Sequence, residues 1–302
     1  MRIINICILF FICALHKAGY SLLESNAALP RSAGTAFCGA SKDYGAESAL
    51  LNPSMNALSL YGDFFCAYTR PFGIQGINQY AFGVTVPVKN LMVAFGAGGL
   101  TFEDLYFDME ALLSVSHAFK KRIAVGGGIN AILVQFTGTR YGGALVPAAS
   151  VFLSCKLSES LVLGALCDHL YIPEIGFYDN QVPRKIAVGL SYTYDGFYST
   201  SAEIEKRSPY PACLKVSQEI LIWKFLFVRG GIITLPFNLT FGLGICWNKY
   251  FFDYSYTSHS QLGGTHFVGI SYRFKGSSKK ISGFSGKENV DTKGIPVIIY
   301  EE

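Results

Sequence analysis

Charge is the first thing this sequence has little of. Of 302 residues, only 15% are Asp, Glu, Lys or Arg, where ordinary soluble proteins carry roughly a quarter. The net charge is +4, and the basic residues are scattered, which excludes a nucleic-acid partner and a strongly acidic or basic binding tail. Long apolar runs are also missing. Half the residues are hydrophobic and the mean hydropathy is positive, yet the longest run is Ile6 to Leu15, far short of the ~20 residues of a spanning helix. No C-x-x-C pair occurs, and His117, His169, His259 and His266 show no ligand spacing, so no metal or cofactor is expected. No Ser-His-Asp order stands out. Gly126-Gly127-Gly128 is not followed by a helical pattern, which argues against a phosphate loop and for close packing of a hatch segment against the strand wall.

What is present begins with Met1 to about Ser21. Arg2, the apolar stretch Ile6–Leu15 and the small residues Ala18, Gly19 and Ser21 have the layout of a secretory signal. Its removal leaves Cys38, Cys66, Cys155, Cys167, Cys213 and Cys246. Without a disulfide or metal spacing these are expected to behave as small hydrophobes.

From Leu58 to Phe274 apolar and small or polar residues alternate in segments of about ten, the period of a strand with two different faces. Ile186, Val188, Leu190 and Tyr192 oppose Ala187, Gly189, Ser191 and Thr193; Leu239, Phe241, Leu243, Ile245 and Trp247 oppose Asn238, Thr240, Gly242, Gly244 and Cys246. This predicts strands near 58–69, 76–88, 91–101, 106–119, 122–136, 143–156, 160–170, 183–194, 197–206, 212–222, 225–235, 238–248, 250–257 and 265–274. Tight turns at Val88-Lys89-Asn90, Lys120-Lys121, Leu157-Ser158-Glu159, Asp195-Gly196, Trp223-Lys224 and Asn248-Lys249 alternate with longer connections at 101–105, 137–142, 171–182, 207–211 and 258–264. An even strand number with short turns at one end and long loops at the other marks a transmembrane antiparallel β-barrel of about 14 strands. Lipid offers no partner to a free strand edge, so such a sheet must close. A soluble β-sandwich would need more charge than this chain has.

Residues 31 to 57, with Asp43 and Asn52-Pro53, resemble the N-terminal element of the FadL superfamily, in which a Gly/Ala-rich stretch with an acidic residue leads to an Asn-Pro-Ala-Gly motif. Ser54 and Met55 stand in place of the last two motif residues. Pro183-Arg184-Lys185-Ile186, Arg229-Gly230-Gly231, Phe241-Gly242-Leu243-Gly244, Phe252-Asp253-Tyr254 and Leu262-Gly263-Gly264-Thr265-His266 are similar to the PorV/PorQ branch. The resemblance implies a fourteen-stranded barrel in the bacterial outer membrane, with an N-terminal hatch inside the lumen. It implies two alternative roles: carrying a hydrophobic small molecule such as a long-chain fatty acid, or receiving secreted protein cargo in type IX secretion. A structural or adhesive surface barrel is a third reading. The expected organisation is a signal at 1–21, a hatch at 22–57, the barrel at 58–274 and a flexible periplasmic tail at 275–302. Outer-membrane lipid is an expected partner. So is the barrel assembly machinery, whose usual signal, an aromatic ending the last strand, is Phe274.

Strand parity turns Glu110, Glu203, Glu205, Lys215, Glu219, Arg229, Asp253 and Arg273 inward. Charges in a lumen must pair or meet water, and a network that fixes strand register is the preferred reading over a polar path. Glu203 and Glu205 share a face, but that spacing arises by chance on any strand, and no catalytic residue is assigned. Leu100, Phe102 and Tyr106, with Tyr171, Ile172, Ile175 and Phe177, form either an extracellular hydrophobic pocket or part of an interfacial aromatic girdle.

Overall fold

The computed structural model describes residues 27–137, 142–171 and 183–274. Fourteen strands form one closed antiparallel barrel in which each pairs with its neighbours in sequence and the last returns to the first. They are β1 (Gly62–Arg70), β2 (Ile77–Val88), β3 (Leu91–Phe102), β4 (Tyr106–Phe119), β5 (Ile123–Phe136), β6 (Gly143–Lys156), β7 (Leu161–Tyr171), β8 (Lys185–Tyr194), β9 (Tyr198–Arg207), β10 (Ala212–Ile222), β11 (Leu226–Thr234), β12 (Phe237–Trp247), β13 (Tyr250–His259) and β14 (Gly263–Phe274). The closing seam runs from Gly62 opposite Phe274 to Arg70 opposite His266. It removes the free edge that lipid cannot satisfy.

The two faces separate as the alternation predicts. On β8, Ile186, Val188, Leu190 and Tyr192 are exposed while Ala187, Gly189 and Ser191 are buried. The same division on the other strands, interrupted on β7 at Asp168 and His169, leaves an apolar outer surface, with Ile129 and Leu145 more than two-thirds exposed. A surface of this kind fits hydrocarbon rather than water. The described cysteines are all free.

Two details of the sequence reading change. The first strand starts at Gly62, not 58, because Ser54–Ser59 is helical and Leu60 ends that helix in a left-handed conformation (φ 57°). The two ends of the barrel also differ less than expected: hairpins β3–β4, β11–β12 and β13–β14 pair almost to their tips at the end assigned long loops. The longer connections at that end are 71–76, 137–142, 172–184 and 208–211. All six tight turns lie at the opposite end, together with the start of β1 and the end of β14.

Residues 27–60 pack inside the barrel. Helix α1 (Pro30–Gly34) is fully buried, a 3₁₀ segment spans Gly45–Leu50, and helix α2 (Ser54–Ser59) leads into β1. Close approach to the wall depends on absent side chains. A Cβ on Gly242 would meet Gly34 Cα at 2.9 Å, and one on Gly231 would meet Ala36 Cβ at 2.8 Å. The Gly126–Gly128 run does not serve this purpose. A Cβ on Gly126 or Gly128 would strike Ser116 or Leu112 of the neighbouring strand, not the lumenal segment.

Candidate functional site

The lumenal segment holds its own shape through the residues singled out in it. Asp43 Oδ1 accepts from the Gly45 amide at 2.8 Å and from Asn56 Nδ2 at 3.1 Å. Asn52 Oδ1 accepts from the Ser54 amide and hydroxyl, and its Nδ2 donates to the Ala40 carbonyl and to Ser154 Oγ on β6. Pro53, at φ −60°, precedes the first turn of α2, where a missing N–H leaves nothing unsatisfied. At the start of α1, Glu47 accepts from the amides of Arg31 and Ser32, both at 3.1 Å, capping donors that have no partner within the helix. Burial pushes the Glu47 carboxyl up to about 7. Burial likewise raises the Cys38 thiol to about 12.

The inward charges join this segment to the wall. Glu203 Oε2 accepts from the Ala40 amide at 2.7 Å, and Lys215 bridges Glu203, Glu205 and the Phe37 carbonyl. Arg229 binds Asp253 at 2.7 Å and also Glu219. Arg31 reaches Asp253 at 2.7 Å, and Lys42 reaches Glu219 at 2.9 Å. Arg273 pairs with Asp63 at 2.9 Å. Glu110 stands apart from this band, bound to His169 at 2.8 Å and Asn130 at 2.7 Å. All eight inward charges singled out from the sequence therefore lie in the lumen. Each has an opposite charge or His169 as partner, the condition under which burying it is tolerable.

Sequence reasoning missed Arg31, Lys42, Asp63, Asp168, His169 and Lys185. Lys185, paired with Asp168 at 2.6 Å, has the parity of Ala187 and Gly189 and was legible. His169 follows Asp168 yet both are buried, because a left-handed residue (φ 57°) at a register shift in the β6–β7 pair turns consecutive side chains inward.

Two cavities flank the lumenal segment. One of about 60 Å³ lies toward the longer connections, between Leu29, Leu50, Gln79, Asp108, Glu110 and Arg207. The other, of about 280 Å³, opens toward the tight turns; Met55, Leu58, Phe197, Leu221 and Phe227 supply its apolar wall, with Lys42 and Glu219 beside them. Leu100, Phe102 and Tyr106 are half-buried on the long-connection side. There the Tyr106 ring packs 5.0 Å from Phe136 and its hydroxyl donates to Asp108 at 2.9 Å. Tyr171 ends β7; Ile172, Ile175 and Phe177 lie outside the described residues. Among the described residues, no group of three His, Cys, Asp or Glu side chains is placed to hold a metal ion.

A barrel with an apolar exterior, an occupied lumen and an apolar-walled cavity can be compared with solved structures. The CymD monoaromatic hydrocarbon channel superposes with a TM-score of 0.61 at 10% identity, covering 86% of this chain and 100% of that one. The fold is that of the hydrocarbon channels. The Pseudomonas putida toluene transporter TodX gives a TM-score of 0.60 at 9% identity, with 86% and 99% of the two chains covered. A Pseudomonas aeruginosa FadL homologue gives 0.54 at 11% identity, with 81% and 95% covered. At the level of sequence no family model matches the chain, and no curated protein does.

Proposed function

We propose that this chain is a bacterial outer-membrane barrel that passes or holds a small hydrophobic molecule without altering it. The observation that carries the reading is the apolar-walled cavity of about 280 Å³ at one mouth of the lumen, in a barrel that shares its fold with monoaromatic hydrocarbon channels. A cavity of ~150 Å³ already suffices for benzene. Residues 27–60 act as the hatch, and Lys42–Glu219 and Lys215–Glu203 are contacts that must yield, or be bypassed, between the two cavities. The tight-turn end, where β1 begins and β14 ends, faces the periplasm. A monoaromatic hydrocarbon and the hydrocarbon tail of a long-chain fatty acid share the chemistry such a wall recognises.

The test is uptake into proteoliposomes carrying the full chain, with labelled toluene and labelled oleate as separate probes. Saturable uptake of either, above that of protein-free vesicles, is the expected result. No uptake of either, together with co-purification of secreted proteins from the native outer membrane, replaces this reading with the protein-secretion role that the resemblance to the PorV/PorQ branch implies. Uptake of neither and no bound cargo leaves a structural barrel.

A further inference from the structure

The charges that do not enter the lumen are unevenly divided between the two ends of the barrel. Lys89, Lys120, Lys121, Arg122, Lys156, Lys224 and Lys249 lie at or beside the tight turns, against Glu159 and Asp195. At the opposite end, among the described residues, Arg70, Arg184 and Lys206 face Glu103 and Asp104. Among the described residues the tight-turn rim therefore has a surplus of five positive charges, against one at the other end.

The backbone gives a second, independent observation. Lys89 (φ 55°), Lys120 (φ 46°), Lys121 (φ 57°) and Lys224 (φ 63°) all adopt the left-handed conformation, which two-residue hairpins normally give to Asn or Gly because a Cβ is crowded there. Lysine is a poor choice for these turns on conformational grounds. What it adds at each tip is a cation on a long stem.

Just inside the lysines lies a belt of outward aromatic side chains. Trp223 and Trp247 are 74% and 66% exposed, and Phe119, Tyr194, Phe225 and Tyr250, at or beside the same turns, are about half exposed. Such a belt sits at the boundary between hydrocarbon and headgroups. The ammonium groups beyond it stand at the depth of lipid phosphates, and a Lys or Arg near an anionic leaflet is attracted to it within a Debye length.

We propose that the tight-turn rim is a binding surface for the anionic phosphate headgroups of the leaflet it enters, so that the barrel gathers a shell of phospholipids of the phosphatidylglycerol type at that end. The inference rests on the membrane reading above, and it adds a lipid preference that a hydrophobic wall alone does not supply.

The full chain is reconstituted in phosphatidylcholine bilayers, and association of spin-labelled phosphatidylglycerol is compared with that of spin-labelled phosphatidylcholine. The expected result is a preference of roughly fivefold for the anionic lipid, weakened by salt. In the variant Lys89→Asn, Lys120→Asn, Lys121→Gly, Lys224→Gly, whose new residues suit the left-handed turns, the preference falls to near unity while the barrel still folds. The control variant Arg70→Gln, Arg184→Gln, Lys206→Gln retains it.

An inserted wild-type barrel with no preference overturns the proposal, as does a turn variant that keeps the preference or a control that loses it equally. Displacement of the lipid by soluble polyglutamate at equal charge assigns the rim to an acidic protein and overturns it too. A chain that does not enter the bilayer at all refutes the membrane reading itself, which separates the two failures.

Discussion

Arg31 and Asp253 stand 222 residues apart in sequence and 2.7 Å apart in space, joining α1 of the lumenal segment to β13 of the wall. Asp253 also takes Arg229 from β11 at 2.7 Å, so one carboxylate serves two guanidinium groups in the buried lumen. The Arg31 guanidinium lies over the Phe251 ring at 4.4 Å and donates to the Tyr44 carbonyl at 3.2 Å. Arg229 still neutralises Asp253 when Arg31 is removed, so the loss is that of the charged hydrogen bonds Arg31 makes, about 1.5–3 kcal/mol each. Arg31→Met is therefore expected to detach the lumenal segment without opening the barrel. Cys38, buried and with its thiol held far from ionisation, reports this. In the wild-type chain it resists maleimide at pH 8, and in Arg31→Met it is modified, as peptide mapping would show.

Glu47 gives the lumenal segment a pH dependence of definite sign. Its carboxyl is raised from 4.5 to about 7 by burial, with Asp253 adding to the shift and Arg31 and the two amides opposing it. The native state thus binds the proton more tightly than the unfolded state does. This contribution is fully present below about pH 4.5 and is lost as the pH rises through 7. Its size is on the order of 3 kcal/mol. Between pH 5.5 and 8 the Glu47→Gln variant should lose less stability than the wild type, measured by urea unfolding at each pH. A wild-type profile that is flat, or that rises with pH relative to the variant, contradicts the assignment.

The contact between Gly34 and Gly242 leaves no space for a side chain on either. Gly242→Leu is expected to displace α1 from the wall, with an overpacking cost of about 1–3 kcal/mol, while the same change at Gly230, whose nearest neighbour lies 3.8 Å away, is tolerated. Heat-modified mobility of the folded barrel separates the two variants.

The apolar cavity carries the transport reading, so its wall is the place to disturb it. Leu58→Asn and Leu221→Asn together remove apolar surface without touching an ion pair. Uptake of the hydrophobic probe should fall by roughly tenfold, with the unfolding midpoint of the barrel little changed. The corresponding change at Phe102 on the opposite side distinguishes a pocket there from a girdle: lost uptake supports a pocket, and unchanged uptake supports a girdle.

How much of this was legible in the sequence follows from where periodicity operates. Strand β9 carries Glu203 and Glu205, β10 carries Lys215 and β11 carries Arg229, each on the face opposite its strand's outward apolar residues, so these four were placed in the lumen from parity alone. Asp63 has the parity of Phe65 and Ala67 and was legible in the same way, though it was overlooked with the strand begun too early. Arg31 and Lys42 were not legible. They lie in a segment of short helices and turns with no period, and their partners Asp253 and Glu219 are more than 170 residues away. His169 was hidden for another reason, since a single left-handed residue breaks the period that would have assigned it. The hairpin ends were misjudged because strands pair beyond the apolar band, where alternation fades although the ladder continues.

The central claim is that the apolar face of the barrel lies in lipid, with the tight turns at its surface. The chain has two tryptophans, Trp223 and Trp247, and both are exposed at that end, so tryptophan fluorescence reports it directly. With the full chain in bilayers of lipids brominated at chosen depths, bromine near the headgroup should quench strongly and bromine near the bilayer centre only weakly. Quenching by neither, with both tryptophans accessible to aqueous iodide, would contradict the account.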